Sequence, residues 1–174
     1  MSEANKKFTV NNLFNVEGWV AVVSGGGTGS VNTLSDNLHY NTSRLCRIGL
    51  MISQAFANNG ARVYITGRRP DILQTAAKTW GSSLSHPKGR IIPIECDVTS
   101  KPSIERLVEE VQQKEDHVDL LVNNAGISRG TSEVEKGHED GTALAKELYA
   151  EDLSLWEDVY RTNVIGCVSI VNLI

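Results

Sequence analysis

Residues 24–49 read "SGGGTGSVNTLSDNLHYNTSRLCRIG". The first six form a glycine-rich turn directly after the short β-branched run "WVAVV" (19–23), yet no amphipathic helix follows at once. That helix begins at Ile48, where "IGLMISQAFANNG" (48–60) sets Ile48, Met51, Ile52, Ala55 and Phe56 on one face before Gly60 ends it. A strand, a glycine turn and a helix N-terminus in immediate succession make an anion cradle, because unpaired backbone N–H groups and the positive end of the helix dipole face the ligand. Removing the eighteen residues 30–47 gives "SGGGTGIGLMISQAF", a continuous strand, turn and helix with the pattern S-G-x-x-x-G-x-G. Residues 30–47 are therefore expected to be an insertion within one domain spanning 1–174. They are also expected to take the N–H groups of Ile48 and Gly49 out of register with the glycines at 25–29.

Outward from this stretch, strand and helix signals alternate. "RVYIT" (62–66) reads as a second strand, "PDILQTAAKTW" (70–80) as a helix and "RIIPIEC" (90–96) as a third strand. Thr99 or Ser100 can cap a helix with Pro102 in its first turn and Ile104, Leu107, Val108 and Val111 on one face, and "VDLLV" (118–122) follows as a fourth strand. Apolar runs joined by amphipathic helices imply a parallel α/β sheet covered on both faces. A polar segment marked by glycines (131–152) comes next, then a capping-box pattern, Ser154 to Glu157, that opens a last helix.

A chain of 174 residues with net charge −4, 40% hydrophobic and 22% charged, fits one soluble globular domain. Its scattered Lys and Arg give no footprint for nucleic acid, and no apolar run reaches spanning length. The N-terminus has no apolar core of a leader, and Cys46, Cys96 and Cys167 have no disulfide or metal-ligand pattern, so a cytoplasmic location with reduced thiols is expected. The four histidines have no partners at ligand spacing, and no metal is expected.

Four ordered motifs resemble the short-chain dehydrogenases/reductases. Ser24, Gly25, Gly27, Thr28 and Gly29, continued by Ile48 and Gly49, resemble that family's T-G-x-x-x-G-x-G loop, with Ser in place of Thr. Asp97 and Val98 are similar to its adenine contact after the third strand, and Asn123-Asn124-Ala125-Gly126 to its N-N-A-G after the fourth. Asn163 in "YRTNVIG" stands where the family places a helix Asn that helps hold a catalytic water and lysine. The flavour is closest to fungal members similar to 3-oxoacyl-carrier-protein reductases. The resemblance implies a Rossmann-like doubly wound fold with sheet order 3-2-1-4-5-6-7, a carbonyl or alcohol substrate, and a homo-oligomer for the complete protein. Past the second strand, "YITGRRP" offers Arg68 and Arg69 and no acid, which points to NADP(H) rather than NAD(H). Plainer roles stay open: a solvated arginine pair, Asp97 as a helix cap, Asn124 serving its own turn, and Asn163 as a satisfied polar group.

The family's proton donor is a Tyr with a Lys four residues on, beside a Ser. Here Tyr40, Tyr64, Tyr149 and Tyr160 are followed at that place by Arg44, Arg68, Leu153 and Val164. The pattern dissolves after Gly166, so the C-terminal part of the fold is expected to be missing and the chain inactive. Retained introns at 30–47 and in the tail "CVSIVNLI" (167–174) explain both departures. The alternative is a non-catalytic module that binds dinucleotide or a partner subunit.

Overall fold

A computed structural model describes residues 9–13, 15–27, 48–128 and 141–171. In chain order come α1 (Val10–Leu13), β1 (Val20–Ser24), α2 (Ile48–Asn58), β2 (Arg62–Gly67), α3 (Pro70–Gly81), β3 (Arg90–Glu95), α4 (Lys101–Gln112), β4 (Leu120–Val122), α5 (Gly141–Tyr149), α6 (Leu153–Tyr160), a π-helical turn (Arg161–Ile165) and α7 (Gly166–Val171). The strands form one parallel sheet in the order β3-β2-β1-β4, as the family order requires for its first four members.

Each face of this sheet has its own core. Successive strand residues point to opposite sides, so Val20, Val22 and Tyr64 pack with Ile94, Ile104, Leu107, Val111 and Ile170 under α4 and α7. Ala21, Val23, Val63 and Ile65 pack on the other side with Leu50, Ala57, Leu73 and Ala76 of α2 and α3. Burial on both sides is why β1 and β2 read as unbroken apolar runs instead of alternating ones.

The strands' amino ends are tied by charge. Arg62 donates two hydrogen bonds to the Glu115 carboxylate, 2.8 Å from Nε to Oε1 and 2.6 Å from Nη2 to Oε2. The Tyr64 hydroxyl donates a third at 2.9 Å. Asp119 Oδ2 accepts from the Val20 N–H at 2.8 Å, which fixes the start of β1 against the approach to β4.

Four local expectations change. The buried stripe of α2 is Gly49, Leu50, Ser53 and Ala57, whereas Ile48 and Met51 are 47% and 64% exposed and Ala55 is also exposed. Small residues win this face because α2 lies close against the sheet, and Ser53 Oγ satisfies itself on the Gly49 carbonyl at 2.7 Å. The polar segment 131–152 contains a helix, α5. The cap of α6 is Asp152, whose carboxylate accepts from the Ser154 N–H at 2.9 Å, so Ser154 lies inside the helix rather than at its boundary. Finally, β4 is three residues long, not five.

Candidate functional site

All four strands end at one cleft of about 520 Å³. Gly25 and Gly27 line it after β1, and Thr66, Gly67, Arg68 and Arg69 line it at the end of β2. Asp97 and Val98 contribute after β3, and Ala125, Gly126 and Ile127 after β4. Ligand sites of open parallel sheets lie in this position, outside the carboxyl ends of the strands.

Backbone geometry explains the glycines. Gly25 has φ +69°, a conformation in which a side chain is strained. A Cβ on Gly26 would stand 2.9 Å from Ile65 Cγ2, and one on Gly27 3.0 Å from Leu73 Cγ. Gly49 is the surprise: a Cβ there would meet the Asn124 side chain and stand 2.7 Å from the Gly25 carbonyl oxygen. The start of α2 is thus held against the turn after β1, contrary to the expected loss of register. Thr28, Gly29 and the expected insertion 30–47 lie outside the described residues.

The turn after β4 is built on Ser24. Its Oγ accepts from the N–H groups of Asn124 and Ala125, both at 3.0 Å, and donates to the Val122 carbonyl at 3.3 Å. Asn124 Nδ2 donates to the carbonyls of Ser24 at 2.9 Å and Gly25 at 3.3 Å. Ser24 and Asn124 therefore brace the glycine turn, and neither lines the cleft. Ile48 does not line it either. Asp97 Oδ1 accepts from Thr99 twice, at 2.9 Å from N and 2.7 Å from Oγ1, while Ser103 Oγ receives the Asp97 N–H at 3.0 Å. Asp97 thereby shapes its own turn and still faces the cleft, whereas the cap position of α4 is Ser100.

Arg68 and Arg69 are exposed at the rim, and neither makes an ion pair among the described residues. Asn163 sits in the π-helical turn and grips Ile127 from both sides: its Oδ1 accepts from the Ile127 N–H at 2.9 Å and its Nδ2 donates to the Ile127 carbonyl at 3.0 Å. π-Helical turns of this kind re-aim a side chain that a regular helix would point elsewhere.

Sequence reasoning passed over Thr66, Cys96 and Thr162, which also line the cleft. Their signal was positional, since Thr66 is the penultimate residue of β2, Cys96 directly follows β3, and Thr162 is the second residue of the π-helical turn. Burial pushes the Cys96 thiol up to about 11, which makes it inert at neutral pH.

A family model described as short chain dehydrogenase matches residues 42–174. The chain belongs to the short-chain dehydrogenases/reductases. The match takes in residues 42–47 of the expected insertion and runs through the tail 167–174, so the family pattern does not dissolve after Gly166. Among family members, the short-chain dehydrogenase/reductase PhomF of Diaporthe leptostromiformis is 37% identical over 152 residues, 87% of this chain and 44% of that protein. The short-chain dehydrogenase/reductase VdtF of Byssochlamys spectabilis is 40% identical over 123 residues, 71% of this chain and 32% of that one. The chain thus spans less than half the length of these curated relatives. In fold it is similar to a Pseudomonas aeruginosa structure described as an RhlG/NADP active-site complex, with TM-score 0.65, 26% identity, and coverage of 92% of this chain and 48% of that one. A short-chain type dehydrogenase/reductase from Mycobacterium marinum superposes with TM-score 0.69 at 23% identity, covering 95% of this chain and 50% of its own.

Proposed function

We propose that this chain is the nucleotide-binding part of an NADP(H)-dependent oxidoreductase that interconverts a small-molecule carbonyl and an alcohol. The observation that carries the reading is one cleft lined by Gly25 and Gly27, with a rim of two arginines that are unpaired among the described residues. The residues fit a dinucleotide. Gly25 and Gly27 line the cleft with bare backbone that a phosphate can approach, and Thr66, which also lines it, carries a buried hydroxyl with no partner among the described residues. The similarity to the RhlG/NADP complex supports the same cofactor.

In this reading the turn after β1 approaches the pyrophosphate with its backbone, and Arg68 and Arg69 meet the 2′-phosphate. Asp97 receives the adenine amino group on Oδ2, which has no partner among the described residues, and Val98 lies against the ring. When bound, the nicotinamide supplies or accepts a hydride. Asn163 fixes the main chain at Ile127 beside that end of the cleft. Homo-oligomerisation of the complete protein, a cytoplasmic location and insertion at 30–47 belong to the same proposal. Among the described residues, no helix is long and apolar enough to cross a membrane.

A second reading rests on a specific observation. No tyrosine in the chain is followed four residues on by lysine, so the chain by itself binds nucleotide without turning it over. Fluorescence titration with NADPH and NADH tests both points. NADPH should bind at least about tenfold more tightly, and Arg68→Asp should reverse the preference by removing a charge-assisted phosphate contact and supplying a ribose acceptor. Equal affinities would remove the arginines from the assignment, absence of binding would remove the nucleotide, and steady NADPH oxidation with a carbonyl would remove the non-catalytic reading.

A further inference from the structure

Ser24 and Thr66 are cross-strand partners in the β1–β2 register. Both are fully buried, and the register puts both hydroxyls on the same side of the sheet. Their hydrogen bonding differs completely. A hydroxyl has one donor and two acceptor positions, and Ser24 uses all three inside the protein. Thr66 Oγ1 is buried and has no partner among the described residues, although its residue lines the cleft.

A hydroxyl in that state lowers stability, because its lost hydration is not compensated. Valine has nearly the same shape and would fill the same place without the penalty. Within the buried run 63–66, Tyr64 bonds its hydroxyl to Glu115 whereas Thr66 leaves its own unpaired among the described residues, a departure from the rule that buried polar groups are satisfied. Departures of this kind are retained where a ligand completes them. The location fits: Thr66 stands two residues before Arg68, at the adenosine end of the proposed nucleotide site.

We infer that Thr66 is a nucleotide-positioning residue whose hydroxyl acquires its hydrogen-bond partner only when the cleft is filled. The inference rests on the proposed nucleotide site and adds a residue to it. Ser24, saturated by the turn after β4, has no capacity left for this task. Thr66 supplies the neutral contact and the arginines the charged one. It therefore tightens NADPH and NADH alike, whereas Arg68 separates them.

Thr66→Val and Thr66→Ser in the 174-residue chain test this by two readouts, thermal unfolding without nucleotide and fluorescence titration with NADPH and NADH. Thr66→Val should unfold at the same or a higher temperature than the parent and bind both nucleotides about two- to tenfold more weakly, the range of one net hydrogen bond. Thr66→Ser should bind as the parent does. Opposite movement of stability and affinity is the signature, since a merely structural threonine would lose both together. A Thr66→Val protein that fails to fold, or that binds as tightly as the parent, overturns the inference and leaves the nucleotide site standing. A parent chain that binds neither nucleotide overturns the site and the inference with it.

Discussion

The α-carbon of Gly49, first-turn residue of α2, lies so close to the carbonyl of Gly25 that an added Cβ would stand 2.7 Å from its oxygen and meet the Asn124 side chain. Three separate segments converge at this point: the turn after β1, the start of α2 and the turn after β4. The Gly25 carbonyl is backbone and cannot swing aside, and the Asn124 side chain is tied down by its bonds to the carbonyls of Ser24 and Gly25. Gly49→Ala should therefore destabilise the chain by about 1–3 kcal/mol, the usual cost of overpacking. Thermal unfolding checks it, and an unchanged midpoint would mean that α2 can back away from the turn.

Ser24→Ala should act on the same junction from the other side. It leaves two partly buried N–H groups, those of Asn124 and Ala125, without their acceptor. The expected loss is about 2 kcal/mol, read as a lower urea midpoint. Ser24→Thr keeps the hydroxyl and should retain most of that stability. If alanine and threonine behave alike, the turn after β4 is held by Asn124 alone.

The sheet was legible in the sequence because buried parallel strands announce themselves as apolar runs between turn signals, and β1, β2 and β3 appear within a residue or two of their expected positions. The face of α2 was not legible. Hydrophobic periodicity weighs Ile48 and Met51 most heavily, while close approach to the sheet selects Gly49, Ser53 and Ala57. Eight of the expected site residues, from Gly25 to Gly126, line the cleft. Ser24 and Asn124 support it from behind, a distinction that only their hydrogen bonds reveal. Thr66 escaped notice because a threonine inside an apolar run reads as an ordinary strand former. Asn163 could be placed on a helix but not paired, since Ile127 is thirty-six positions away.

Acid should weaken the fold through Glu115. Hydrogen bonds from Arg62, first, and Tyr64 hold its carboxyl below the usual carboxylate range. A depressed folded-state value means that the unfolded chain binds more protons, so the contribution is present above about pH 4.3 and is lost as pH falls. Glu17 and Asp152 shift the same way but are exposed, and salt screens exposed charges far more than the Glu115 pair. Urea midpoints between pH 6 and 3 should fall, and in 0.5 M salt most of the fall should persist in the parent and vanish in Glu115→Gln. A fall abolished by salt in the parent would assign it to the surface pairs.

Alkali should act through Tyr64, whose hydroxyl is pushed up first by burial and then by its bond to Glu115. The sign is opposite. A raised folded-state value gives a contribution that is complete below about pH 10 and lost as pH climbs further. Tyr64→Phe should lose about 1 kcal/mol at neutral pH, one net hydrogen bond, and should flatten the alkaline limb. An unaltered alkaline limb in the phenylalanine variant would place the sensitive group elsewhere.

Deletion of residues 30–47 tests the interruption that follows the glycine turn at Gly29. The Gly25–Gly49 contact already joins β1 to α2, so the fold does not need the deletion to align them. Shortening the connection from about twenty residues to two recovers about 2 kcal/mol of closure entropy, at about 0.6 kcal/mol per doubling of length. The nucleotide gains more. Thr28 and Gly29 become directly continuous with Ile48, so the first N–H groups of α2 follow the glycines in sequence as well as in space, the arrangement that an anion at a helix N-terminus exploits. NADPH affinity should rise by more than about tenfold, beyond what the stability gain alone transmits to a chain that is already folded. Calorimetric titration of parent and deletion variant at one temperature, with unfolding curves for both, separates the two effects. Tighter binding with a small stability gain identifies 30–47 as an interruption of the phosphate turn. A more stable variant with unchanged affinity shows that the turn functions as written, with the segment in place.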